Sequence, residues 1–483
     1  MVIKPKTRID KIRTWPLMYT EYALFAFLAL IGIHLLVFGS MIMPLLVLLC
    51  GMFIVVFFFV ALNRYSERWC KLPMDRFYRR LFGHALVYRL IFVVVMLMLT
   101  NWLDPDSYPF EIRAADSWVY HDVGIKVAEG IRNGNMFDVL NGIWRSFNDW
   151  GHSIYLGFLY YVFGPHFIVV RIFNALFGAL TTVYVGKIAE YVFGRSAGRM
   201  AGILAMLMPA FWWYGGMHLK ETMMIFLIIV PCYHAVKLVY IGKLKPLGIT
   251  VITGSIFLLF YYRSFLAPLI TLCIGGYILL NAFKKKRNQG VIIVSAVAFL
   301  LAMGLIISRF EFQGHIAETV EQSQGLFDYH LTNIAKEVEE ISFEKGVVAP
   351  FMLAGAVVTP FPTFLDIGER QLSIYVRFQN DVVRNFLYFF AFLGVWYGVK
   401  LKLNESALVI LFPLGYILIL AVSGVSFQAR YQVPALPFMI ILMAGGFHLA
   451  KPKILNRWPM YLTIIMAAIL AWNYFKVSIR GLM

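Results

Sequence analysis

The chain has 483 residues, 60% of them apolar, and carries a formal net charge of +17. An apolar fraction this high lies far above that of soluble domains and excludes a soluble globular class. The charge alone would suit a nucleic-acid partner, but the basic residues sit in short clusters between apolar runs. They therefore read as a topology signal, aided by anionic lipid, and no nucleic acid is expected.

The N-terminal MVIKPKTRIDKIR is basic and leads into a full-length apolar run with no small-residue cleavage site, so it reads as a cytoplasmic flank. Runs at 22–38, 41–62 and 85–103 come first, each long enough or nearly so to cross a core of about 30 Å. Between the last two lies a basic cluster, Arg64, Arg68, Lys71, Arg76, Arg79 and Arg80, with Arg89 at its edge. Further runs follow at 168–193, 198–216, 221–241, 246–262, 264–282, 290–308, 384–400, 405–424, 432–449 and 458–475. Lys243 and Lys245, Lys284 to Arg287, and Lys451, Lys453 and Arg457 mark the other basic loops, and the positive-inside rule puts all of them in the cytoplasm.

The acids show the opposite pattern. Of 26 Asp and Glu, eight lie in 104–149 and eight in 311–344, both on the outer side when spans are counted from a cytoplasmic N-terminus. The expected fold is an all-α polytopic membrane protein of about thirteen transmembrane helices, with an outer-face loop carrying juxtamembrane amphipathic helices. Those helices are expected around Trp118–Arg132 and Tyr155–Phe163; the latter is apolar but too short to cross. Five stretches result: the N-terminal tail and three spans (1–103), the first long outer loop (104–167), a transmembrane core (168–308), a second outer loop with a re-entrant or interfacial segment (309–383), and the C-terminal spans (384–483). The four cysteines have no metal-site or disulfide spacing.

Ionisable residues at membrane depth or at helix ends are costly and are functional candidates by default. On the expected outer face these are Asp116, Tyr120, His121 and Asp122, then His218, Lys220 and Glu221, then Arg263, and last Arg430 with Tyr431. Asp116 opens a helix, where a first-turn acid is also a plain capping choice; as chemistry it is a carboxylate within reach of an acceptor hydroxyl. Tyr120 falls one turn later on the same face. Lys220 and Glu221 cap a span, either as interfacial anchors or as a phosphate contact and a second acid. Arg263 and Arg430 offer guanidinium forks that match phosphate oxygens, though either one alone would also suit snorkelling to lipid phosphates.

In this order the residues resemble the GT-C superfamily of integral-membrane glycosyltransferases, near its protein mannosyltransferases and aminoarabinose transferases. The resemblance rests on Asp116 with Tyr120 in the first outer loop, on YLGFLYYVFGPHFIVVRIFNALFGALTTVYVGKIAEYVFGRSAGRMAGILAMLMPAF, on the Lys220–Glu221 turn and on the late RYQVPALPF. It covers roughly 100–285 and 425–450. Three features depart from the family pattern: Ser117 follows Asp116 where a Glu is common, Glu221 stands where an Asp is common, and two extra spans precede the module.

The resemblance implies a sugar donor on polyprenyl phosphate or diphosphate and a glycan, lipid or protein acceptor. The active site would lie on the periplasmic or extracellular face of a plasma (inner) membrane, in cell-envelope glycan or glycoconjugate assembly. Asp116 and Glu221 would be catalytic, and Tyr120, His121, Asp122, His218, Lys220, Arg263, Arg430 and Tyr431 would bind substrate. No cofactor is specified, and a divalent cation stays open. A polysaccharide polymerase or ligase is the alternative enzyme, and a lipid-linked-sugar flippase the alternative non-enzyme. Charges gathered at one face and the lack of a visible two-fold repeat favour the transferase.

Overall fold

The computed structural model describes residues 12–111, 115–144, 147–241, 246–284, 361–365, 372–400, 404–422 and 429–479. The expected span at 290–308, the acidic segment 309–345 and the segment Val347–Pro360 lie outside the described residues.

Among the described residues, every regular element is helical. In chain order these are α1 (Leu17–Phe38), α2 (Leu45–Trp69), α3 (Met74–Leu103), α4 (Ala115–Asn133), α5 (Met136–Ile143), α6 (Trp150–Phe163), α7 (Phe167–Phe193), α8 (Arg195–Leu207) and α9 (Pro209–Gly216). Then come α10 (Glu221–Ile241), α11 (Pro246–Tyr262), α12 (Leu266–Lys284), α13 (Leu372–Lys400), α14 (Ala407–Val422), α15 (Ala429–Gln432), α16 (Leu436–Leu449), α17 (Pro452–Leu455) and α18 (Trp458–Ile479). Among the described residues, nine segments are long and apolar enough to cross a membrane: α1, α2, α3, α7, α10, α13, α14, α15 with α16, and α17 with α18. The protein is a multi-pass membrane protein.

Several of the expected boundaries shift. The run 198–216 is not one helix but two, because Pro209 has no amide hydrogen to continue α8 and instead opens α9. The helices at 246–262 and 266–284 fall outside those nine segments, although 246–262 has the expected bounds. The third span starts at Met74 and not at residue 85, so Arg76, Arg79 and Arg80 lie on the first turns of α3. No Gly or Pro interrupts 74–82, and good helix formers carry the helix through the basic segment.

The described residues form two compact units, one from within 12–16, 57–271 and 372–377, the other from within 17–56, 272–284, 361–365 and 378–479. In the first, α7 packs against α3, α8 and α10. The turn into α8 is made by Gly194 at φ 102°, a conformation that side-chain-bearing residues rarely adopt. Arg89, expected at a loop edge, is instead fully buried inside α3. Its Nη1 donates to the Ala85 carbonyl at 2.9 Å and its Nη2 to Thr182 Oγ1 on α7, also at 2.9 Å. Gly178 makes room for it, since a Cβ there would lie 2.6 Å from Arg89 Nε.

In the second unit, α1 packs on α18, with the Tyr19 and Trp458 rings 5.3 Å apart. The Trp458 indole donates to the Phe386 carbonyl of α13 at 2.8 Å. Helices α13 and α16 approach backbone to backbone at Gly394 and Gly446: a Cβ on either would collide with a main-chain carbonyl, that of Leu442 or of Phe390. Neither carbonyl can move without bending its helix. Gly446→Ala is therefore expected to cost about 1–3 kcal/mol, read as a lower melting temperature of the detergent-purified protein; an unchanged value would contradict this contact.

Candidate active site

Helix α4 lies on α6 through Val123, Val127, Leu140 and Trp150, a small apolar core that fixes the two loop helices against each other. The turn just before α6 is tied to the segment after α11, where the Ser264 amide donates to Asn148 Oδ1 at 2.9 Å. Those contacts set Asp149 in place. Its Oδ1 accepts the Tyr120 hydroxyl of α4 at 2.8 Å and pairs with the Lys220 ammonium. Lys220 is nearly enclosed, with 8% of its side chain exposed against 24% for Asp149. Glu221, itself buried, is the first residue of α10. Arg263, half-buried after α11, lies near enough to Lys220 to act on its charge.

A second chain of polar contacts runs beside the first. His121 Nδ1 and the Tyr160 hydroxyl are 2.7 Å apart, and that hydroxyl lies 3.1 Å from His218 Nε2. The His218 amide donates to Glu111 Oε1 at 2.8 Å, and Arg171 of α7 lies 3.9 Å from the same oxygen. Asn174 Nδ2 donates to the Met217 carbonyl at 2.9 Å. The segment 217–220, buried throughout, is thereby held from α4, α6 and α7 at once. Held this way, it delivers Lys220 to Asp149 and starts α10 at Glu221.

The electrostatics follow from burial and from the pair. Burial pushes the Asp149 carboxyl up, but the Lys220 ammonium and the Tyr120 hydroxyl outweigh it and hold the carboxyl below its ordinary value. Burial lowers Lys220, which Asp149 partly restores and Arg263 lowers further. His152, fully enclosed with the Tyr120 ring edge-on at 4.7 Å, is pulled down to about 3, by burial first and then by Lys220. His218 also falls well below its ordinary value, from burial and then from the nearby His152, Arg171 and His121. Both imidazoles are neutral at pH 7.

Of the residues expected from the sequence, the structure brings together Tyr120, Lys220, Glu221 and Arg263, with His121 and His218 in the adjoining chain. Asp116 is exposed on the first turn of α4, and Asp122 is exposed farther along the same helix. Arg430 and Tyr431 belong to the second unit, where the Tyr431 carbonyl accepts the Tyr416 hydroxyl at 2.6 Å.

Asp149, Glu111, His152, Tyr160 and Arg171 were not singled out in the sequence. Arg171 carried a signal, a charge inside an apolar span. So did Asp381 and Arg384, a buried pair at 3.6 Å in the second unit, which RFQNDVVRN places at the head of a span. Among the described residues, no three His, Cys, Asp or Glu side chains gather as a metal site.

Residues 152–307 match the family model described as dolichyl-phosphate-mannose-protein mannosyltransferase. This stretch is a GT-C family domain. No curated protein and no solved structure matches the chain. The GT-C domain contains His218, Lys220, Glu221 and Arg263; Asp116, Tyr120 and Asp149 precede it. The described part of the GT-C match thus supplies the buried half of the cluster, and the loop before it supplies the half that covers Lys220.

The neutral imidazoles make a pH prediction. A histidine whose folded pKa is lowered leaves the unfolded chain binding more protons between the two values, so stability rises with pH across that window. His152 contributes fully above its unfolded value of 6.5, and the contribution drains as pH falls toward about 3. The melting temperature should therefore fall below pH 6.5, and His152→Leu should flatten that fall. A slope unchanged by the substitution would contradict a neutral buried His152.

Proposed function

We propose that the protein transfers a sugar from a polyprenyl phosphate or diphosphate donor to an acceptor hydroxyl at the outer face of the membrane. The observation that carries this reading is the buried Lys220–Glu221 turn inside the GT-C match, clamped by Asp149 and flanked by Arg263. A lipid-linked donor keeps its chain in the bilayer and presents its phosphate and sugar at the surface. A charged cluster where α10 begins is the place to meet them.

The roles follow from charge and exposure. Asp116, exposed on α4, can reach an acceptor arriving from water and takes the hydroxyl proton as the oxygen attacks the anomeric carbon. The bond from that carbon to the phosphate oxygen breaks, and negative charge grows on the phosphate. Arg263 is the cation best placed to meet it, with a guanidinium fork that suits phosphate oxygens. Lys220 adds less than a free ammonium would, because Asp149 already faces it. Glu221 accepts a hydrogen bond from a sugar hydroxyl and fixes the ring. A single displacement of this kind inverts the anomeric centre. The basic clusters at the opposite ends of the spans favour a cytoplasmic side there, which supports an outer position for this cluster.

The test is transfer from a panel of polyprenyl-phosphate sugars by the purified full-length protein. Asp116→Asn should lower kcat roughly 10²- to 10⁴-fold, and Glu221→Gln should lower kcat/KM, both with melting temperatures close to wild type. Full activity in Asp116→Asn would move the proton to Glu221. Absence of transfer from every donor in the wild type would overturn the proposal.

A further inference from the structure

Helices α7 and α10 run in parallel away from the candidate active site, with Phe177 facing Phe226, Tyr184 facing Tyr233 and Tyr191 facing Tyr240. Near its far end each carries a lysine, Lys187 six residues before the end of α7 and Lys237 four residues before the end of α10. At 1.5 Å per residue these positions lie about 9 and 6 Å inside the helix ends, where a span meets lipid headgroups.

A lysine at this depth ordinarily extends its ammonium into water. Lys187 is instead held among rings from three helices. Its Nζ sits over Tyr78 on α3, Tyr184 on α7 and Tyr233 on α10, at 5.5, 6.0 and 5.7 Å from their centroids. Tyr78 is fixed in turn, because its hydroxyl donates to Glu190 Oε2 at 2.8 Å. The Lys237 ammonium approaches the same Tyr233 ring, at 5.6 Å. Both lysines are half-buried. The ring faces attract the two cations but carry no net charge to balance them.

Two ammoniums drawn to one ring repel each other, and a counter-anion relieves that repulsion. On the active-site side Lys220 has Asp149. Among the described residues, neither Lys187 nor Lys237 has a hydrogen bond or an ion pair with an acid. Glu190, one turn beyond Lys187, accepts the Tyr78 hydroxyl and lies 3.9 Å from Arg195. The basic first turns of α3 add positive charge at the same end of the unit. The Tyr184 hydroxyl has no hydrogen bond among the described residues and is a further donor for an anion beside Lys187.

We propose that Lys187 and Lys237 bind the headgroup of an anionic phospholipid carrying two phosphates, of the diphosphatidylglycerol type, in the leaflet opposite the candidate active site. Each ammonium donates to one phosphate, and the glycerol between the phosphates lets a single headgroup reach both helices. A lipid with one phosphate leaves one ammonium unmatched. The acyl chains stay in the bilayer, where Tyr240 and Ile241 at the end of α10 are 43% and 52% exposed. The bound headgroup clasps α7 to α10 at the end away from Lys220. This site lies outside the proposed reaction and does not depend on it.

The experiment uses the full-length protein in phosphatidylcholine nanodiscs doped with diphosphatidylglycerol that carries a photoreactive group near its headgroup. Wild-type protein should be labelled within 184–191 and 233–241. Unlabelled diphosphatidylglycerol should displace that label about tenfold more effectively than phosphatidylglycerol, and inorganic phosphate should not displace it. Lys187→Gln with Lys237→Gln should weaken binding about 10- to 30-fold, at roughly one surface charge per lysine. Lys451→Gln with Lys453→Gln, which removes two basic charges from the other unit, should leave labelling of these segments unchanged.

Labelling elsewhere, equal displacement by phosphatidylglycerol, or displacement by inorganic phosphate would overturn the proposal. So would a Lys187 and Lys237 double variant that binds as wild type, or a Lys451 and Lys453 variant that loses as much. The wild-type competition decides the matter even where the double variant does not fold.

Discussion

The ion pair between Lys220 and Asp149 is the contact on which the candidate site depends. One partner ends a buried segment that leads into a membrane-spanning helix, and the other stands in a turn of the loop helices 71 residues earlier. An ammonium with 8% of its side chain exposed is tolerable only with a counter-charge beside it. The pair therefore obliges α4, α6 and α10 to meet at one place, and Tyr120 closes the arrangement from α4.

Everything nearby follows from that obligation. The segment 217–220 cannot move away from Asp149 without exposing the chain of contacts through His218, Tyr160 and Glu111. Glu221 is thus presented at a fixed depth at the start of α10. The proposed function extends the same logic. In the proposed reaction, Arg263 and Glu221 would meet the polar end of the donor.

Much of the architecture was legible in the sequence because long apolar runs have one stable form in a bilayer, in which every backbone polar group must be bonded internally. The loop helices expected around 118–132 and 155–163 exist as 115–133 and 150–163. The partners inside the site were not legible. Asp149 is one of eight acids in its window, and only the folded chain shows which of them meets Lys220. Arg89 looked like the edge of a basic loop because a charge marks a boundary only where the helix ends, and α3 does not end there. Arg171, Asp381 and Arg384 are the opposite case, charges that break apolar patterns and were readable as such.

The most direct test of this account is a double-mutant cycle on Lys220→Met and Asp149→Leu, read in both melting free energy and sugar transfer. The account predicts that each single variant is destabilised, that the double variant recovers part of the loss, and that the coupling is about 1–3 kcal/mol. It also predicts that transfer falls in the single variants along with stability. Additive effects, with no coupling in either readout, would contradict the claim that this pair holds the site together.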